Sequence, residues 1–250
     1  MFVRPTNPVS HRLARVAFVV ACVAAITVAA AGPLHRYGGL DIEVAITFFR
    51  YGFYFAVAGV ALGLATVLPT RPGDRRRGFL SAVLAILVGG AAAYTPLTWF
   101  LRATQSPEIN DISTDIANPP PLVTTLQLRR GAANGPAYPG SATGALQRAA
   151  YPDIAPVVLA VPPADAFRRV DDVATAMGWE VVARAPAEGR LEAVATSDWF
   201  GFRDDIVVRI KPDGAGSRID IRSKSRDGRS DLGVNASRIR AFIARLKDSP

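Results

Sequence analysis

The sequence predicts an α+β protein: three N-terminal transmembrane helices, then a soluble antiparallel sheet covered on one face by two helices. Two observations carry that expectation. Three long apolar stretches occupy residues 1–101, and beyond residue 153 short alternating apolar runs are interleaved with two segments of helical spacing.

Leu13 to Ala31 carries Arg15 as its only charge, and Phe79 to Leu101 carries none. Each is long enough to cross a hydrocarbon core of about 30 Å at about 1.5 Å per residue. Tyr51 to Leu68 is also free of charge, and extending it back towards Val44 takes in Arg50, whose long side chain can reach the headgroups from a helix end. Spans at about 13–31, 46–68 and 79–101 therefore make residues 1–101 a membrane region.

Short loops rich in Lys and Arg stay on the cytoplasmic side. Arg4, Arg12 and Arg15 lie before or at the edge of the first span, and Arg71, Arg75, Arg76 and Arg77 follow the second, whereas the loop between them has Arg36 against Asp41 and Glu43. Both basic segments are expected inside, so the third span delivers everything from Arg102 onward to the opposite face. A cleaved signal peptide ending at Ala29, Ala30 and Ala31 is the alternative for the first span. It leaves the side of the C-terminal domain unchanged.

The net charge of +8 hints at nucleic acid until it is divided. Residues 1–101 hold nine arginines against three acids, while residues 102–250 hold twenty basic and eighteen acidic residues. The excess belongs to membrane topology, and no nucleic-acid partner is expected, since that footprint needs basic residues gathered on one face of the soluble part. Cys22 lies within the first span and no histidine follows His35. The outer region thus has no thiol chemistry, no Cys/His metal site and no Ser–His relay. Without a Gly-rich phosphate loop of Walker or Rossmann spacing, no cofactor is expected either.

Residues 102–152 read as an irregular connection. Asp111, Ser113, Thr114 and Asp115 favour turns, Pro119 to Pro121 favour an extended path, and residues 124–152 are rich in Gly, Ala, Pro and Ser. The outer domain, residues 153–250, is regular. VVLAV from Val157 is a short strand, Ala164 to Met177 has helical spacing, and WEVVARA, RLEAVAT, RDDIVVRIK and SRIDIRSKS read as four strands. A last helix from about Leu232 to Leu246 aligns Leu232, Ala236, Ile239, Phe242, Ile243 and Leu246.

Alternation places the charges of the last hairpin. Ile206, Val208, Ile210, Ile219 and Ile221 point to the helix-covered core, and Asp205, Arg209, Asp220, Arg222 and Lys224 point to the other, outer face. A four-residue loop at 213–216 sets Arg209 across from Asp220 and Asp205 across from Lys224. Asp204 and Asp205, on opposite faces, cannot act as a carboxylate pair.

FGFRDDIVVRI (200–210), IDIRSKSRDGRSDLGVNASRIRAF (219–242) and EINDISTDIANPP (108–120) together resemble the family called domain of unknown function 1499, over roughly Pro107 to Leu246 and in the family's order. The three spans in front resemble an arrangement common among bacterial members. The resemblance implies no established activity. With the arginine placement, it implies a multi-pass protein of the bacterial inner (cytoplasmic) membrane, N-terminus in the cytoplasm and C-terminal domain in the periplasm.

The candidate site is the polar run SRDGRSDLGVN and the residues facing it. Arg222 and Arg226 with Ser223 and Ser225 could fork a carboxylate or phosphate. Asp231 is a candidate N-cap with Asn235 behind it, Asp111 and Asp115 would hold the ISTD turn against the arginines, and Asp205 faces them from the neighbouring strand. A helix cap with a salt-bridge knot, an anion site and a catalytic site all stay open. Trp199, Phe200 and Phe202 close a core end, line a pocket or dip into headgroups. The function expected is a non-enzymatic, membrane-anchored outer domain that binds an anionic or amphipathic ligand, such as lipid or envelope material, or a protein partner. The alternatives are a divalent-metal hydrolase built on Asp111, Asp115 and Asp205, and a structural subunit of an envelope complex.

Overall fold

The structure, a computed structural model, describes residues 8–71 and 78–248. Arg4, Arg75, Arg76 and Arg77, on which part of the expected orientation rests, lie outside the described residues. The chain divides into two compact units.

Three helices make up most of the first unit: α1 (Pro8–Arg36), α2 (Ile42–Val67) and α3 (Phe79–Gln105). Among the described residues these three are long and apolar enough to cross a membrane. They approach closely because their contact faces are small. Ala17, Ala21, Ala24, Ala56, Ala85 and Ala92 are buried, and a methyl group added at Gly59 would stand 3.1 Å from Ala21, the small-residue packing by which apolar helices gain van der Waals contact. Asp41 caps α2, accepting from the Glu43 and Val44 amides at 2.8 and 3.3 Å. The Thr66 and Thr70 hydroxyls donate to carbonyls one turn back, at 2.7 and 2.6 Å, which satisfies them without water. Trp199–Gly201 belong to this unit, with the Phe200 ring buried against Phe49 and Trp99 at centroid distances of 5.8 and 5.3 Å.

The second unit is built on a six-stranded antiparallel sheet. Its elements, in chain order, are β1 (Asp111–Ser113), α4 (Thr125–Leu128), α5 (Ser141–Ala150), β2 (Val157–Leu159), α6 (Pro163–Ala176), β3 (Glu180–Ala185), β4 (Arg190–Thr196), β5 (Arg203–Asp213), β6 (Gly216–Ser225) and α7 (Val234–Asp248). The strands order as β1-β6-β5-β4-β3, with β2 also on β6. β1 and β2 lie end to end along one edge of β6, against residues 222–224 and 217–219.

The hairpin register is the expected one, Arg209 opposite Asp220 and Asp205 opposite Lys224. Its turn is tighter than the four-residue loop, since Asp213 and Gly216 pair and leave Gly214 and Ala215. Gly214, at φ +57°, supplies the positive φ that a two-residue hairpin turn asks of its first central residue.

α6 and α7 cover one face. Phe167, Val170, Ile206, Val208, Ile219, Ile221, Ile239 and Phe242 form the core there, closed by Trp179 stacked on Phe242 at 5.4 Å. Each large apolar side chain so buried stabilises the fold by about 1.5–3 kcal/mol. The other face departs from expectation. Asp205, Asp220, Arg222 and Lys224 are no more than 2% exposed, so the charged face is not an outer surface.

The cover is the segment expected to be irregular and turn-like. Asp111–Ser113 is a strand because β6 offers it an unpaired edge. Residues 125–128 and 141–150 are helices, the second lacking an apolar stripe to announce it, with Gly144 and Gln147 as its buried members.

Candidate functional site

The charge layer between the sheet and its covering segment follows from strand alternation and from β1. Arg222 sits across from Ser113, and Lys224 across from Asp111. Asp111 takes two Arg222 guanidinium donors, Nε at 2.9 Å and Nη2 at 2.8 Å, and the Lys224 ammonium at 2.8 Å. One strand over, Asp205 takes Arg226 in the same two-pronged way, Nη2 at 2.7 Å, and also the Arg129 Nη1. Such forks are the strong form of charge-assisted hydrogen bond.

Backbone carbonyls, most of them in the covering segment, hold further donors. Arg222 donates to the carbonyls of Pro120 and Pro136 at 3.1 and 2.9 Å, Lys224 to Ala137 at 3.2 Å, and Arg129 to Asn134 and Ser225 at 2.9 and 3.0 Å. The Arg222 guanidinium lies 5.6 Å from the Tyr138 ring centre. Burial, then the Asp111 charge, pushes the Tyr138 hydroxyl up to about 12. Burial likewise draws the Lys224 pKa down, against the pull of Asp111.

Along the same face Asp220 pairs with Arg209 at 2.7 Å and Arg218 at 3.0 Å, and Asp115 takes both arginines, at 3.0 and 3.1 Å. At its far end the fully buried Glu192 carboxylate accepts from the Val123, Thr124 and Thr125 amides and the Thr125 hydroxyl, and is paired with Arg190. Burial alone would raise the Glu192 pKa. The four hydrogen bonds outweigh it and hold the carboxyl below its usual value. A side chain of the protein thus fills the cluster of free amides where α4 begins.

The structure divides the candidate residues between the two faces. Arg222, Arg226, Asp111, Asp115 and Asp205 share the charge layer, although Asp115 meets Arg209 and Arg218 in place of Arg222 and Arg226. Ser223 and Ser225 point instead towards α7, because adjacent strand residues alternate. Ser223 donates to Asn235 Oδ1 at 2.6 Å and Ser225 accepts from Asn235 Nδ2 at 3.0 Å. Arg238 ties this group to Asp204 at 2.6 Å.

Asp231 accepts from the Gly233 and Asn235 amides, at 2.9 and 2.8 Å, at the start of α7. Burial raises its pKa against those two bonds. The turn holds Leu232 at φ +53°, a conformation that costs a non-glycine residue free energy and persists where its surroundings enforce it.

Residues 111–246 match the family described as protein of unknown function, DUF1499. The chain belongs to the DUF1499 family. The matched region runs from the first residue of β1 almost to the end of α7, so the whole charge layer and the Asp231 cap lie within the DUF1499 region. Among curated proteins, none matches the chain.

Sequence reasoning missed Arg129 and Glu192. Neither stands in a motif, and each is recruited by tertiary contact. The signal for Glu192 was a charge at a core-strand position, which calls for a partner. Among the described residues no three His, Cys, Asp or Glu side chains are grouped to hold a metal.

Proposed function

We propose that this DUF1499 chain is a multi-pass protein of a bacterial inner membrane, its N-terminus in the cytoplasm and its C-terminal domain in the periplasm. It acts by binding an anionic or amphipathic ligand or an envelope partner, and not by turning over a substrate. The observation that supports a binding role is the saturation of the carboxylates by cations. Asp111 and Asp205 each hold two, and Asp115 is shared between Arg209 and Arg218. An aspartate-based hydrolase would have to displace guanidinium groups before any of these could bind metal or act as a base.

A surface for a partner lies beside α4. Val123, Leu126 and Leu128 are between 42% and 47% exposed, three large apolar side chains within six residues, whereas Leu146, Val158 and Val234, the other exposed large apolar residues of residues 102–248, stand singly in the sequence. A photo-crosslinking residue at position 126 of the full-length protein should trap one discrete product in native membranes, either a protein or a lipid. A diffuse ladder equal to that from a control position on α6 would sink the role of this surface. Magnesium, calcium or manganese should leave the melting temperature unchanged, and a metal-dependent rise would favour the hydrolase.

A further inference from the structure

The charge layer is unbalanced at the part held by Asp111 and Asp205. Two carboxylates, Asp111 and Asp205, face four cations, Arg129, Arg222, Lys224 and Arg226, and none of the six residues is more than 6% exposed. With acids ionised and bases protonated, the group carries two positive charges in excess. An unneutralised charge in a poorly polarisable interior is costly and calls for a counter-charge.

Donors are left over as well. Arg129 Nη1 is taken by Asp205 and Nη2 by the Asn134 and Ser225 carbonyls, yet its Nε is buried with no acceptor. A guanidinium N–H can only donate, and buried donors without acceptors are rare. The Tyr138 hydroxyl, beside Arg222, is a second buried group without a partner. The other cations donate to Asp111, Asp205 and the Pro120, Pro136 and Ala137 carbonyls, and none of their nitrogens is buried without an acceptor. Arg129 is therefore the point at which both the excess charge and an unused N–H meet.

Excess positive charge and an unused N–H are both satisfied by an anion. A phosphate group carries about −1.5 to −2 charge near neutral pH and three strong acceptor oxygens, which matches an excess of two. Residues 131–140, most of which are exposed, lie over these cations, held to them through the Asn134, Pro136 and Ala137 carbonyls. We propose, building on the binding role above, that the charge layer is a phosphate site, with Arg129 Nε as the donor and Arg129, Arg222, Lys224 and Arg226 as the counter-charge. The phosphate is either free or the headgroup of a phospholipid.

Lys224→Met separates a ligand site from a lock that is complete by itself, since Asp111 keeps its fork with Arg222. Full-length protein in detergent, with inorganic phosphate replacing chloride at constant ionic strength, should show a saturable rise in melting temperature. Lys224→Met should need about tenfold more phosphate for half the rise, and in phosphate-free buffer should melt no lower than the parent, because one unbalanced charge is gone.

A balanced internal lock gives the reverse: Lys224→Met melts lower and neither protein responds to phosphate, which overturns the site. Equal responses from both proteins mean an adventitious ion only, and also overturn it. Native mass spectrometry of protein released from membranes assigns the source, by an adduct of phosphate mass or of phospholipid mass that Lys224→Met weakens. If phosphate fails while crosslinking from position 126 traps a partner, the site falls and the binding role stands. If phosphate acts and crosslinking traps nothing, the site stands without that surface.

Discussion

Arg226 shows how a polar run that reads as a ligand site becomes part of the protein's interior. Its fork onto Asp205 is shared with Arg129, so truncating Asp205 leaves two buried guanidinium groups without their carboxylate. Asp205→Ala should cost about 3–5 kcal/mol, the range for breaking one side of a buried pair, and chemical denaturation of the full-length protein checks it. A loss below about 1 kcal/mol would mean that the pair is worth no more than a surface one.

Tyr138 gives the layer a pH signature. Its hydroxyl ionises at about 12 when folded and near 10 when unfolded. Between those values the unfolded chain releases a proton that the native state keeps, so stability is full below about pH 10 and falls as pH rises towards 12. Partial exposure of the ring limits the loss to about 1–2 kcal/mol. Tyr138→Phe should flatten that alkaline decline in melting temperature, and an unchanged slope would show that other groups cause it.

Among the elements, α7 depends on its cap. Asp231 accepts from two amides that no carbonyl of α7 can satisfy. Asp231→Ala should therefore destabilise by about 1–2 kcal/mol, and amide exchange of Gly233 and Asn235 should accelerate first. The sheet edge at β1 is sealed differently. Gln147 of α5 accepts from the Ser113 amide at 3.0 Å and donates to its carbonyl at 2.7 Å, copying with a side chain what a further strand would do, so the edge is not left open to pair with another chain.

At the scale of the whole molecule, the arginine-rich ends set the expected orientation. Reporter fusions should place residues 38–40 and 248 outside and the segment after α2 inside. A cytoplasmic reporter signal at residue 248 would overturn the periplasmic assignment. Buried alanines and glycines at the helix contacts of the first unit are consistent with packing inside a bilayer, where close approach replaces the hydrophobic effect as the source of association.

By itself the sequence determined the three apolar helices, the order of strand, helix, four strands and helix, the hairpin register and the Asp231 cap. Each is written in residues close together in the chain, as an apolar run, a period of two or 3.6, or a carboxylate a few positions before a helix. Tertiary structure alone decided which carboxylate meets which arginine. Asp111 reaches Arg222 across 111 positions of chain, through a three-residue strand whose only signal was an edge on β6. It also decided that the charged face is interior, because its cover is a segment of small residues and prolines with no periodicity, held down by carbonyls that accept from arginine and lysine. Backbone acceptors are present at every residue, so no pattern of side chains announces where they will be used.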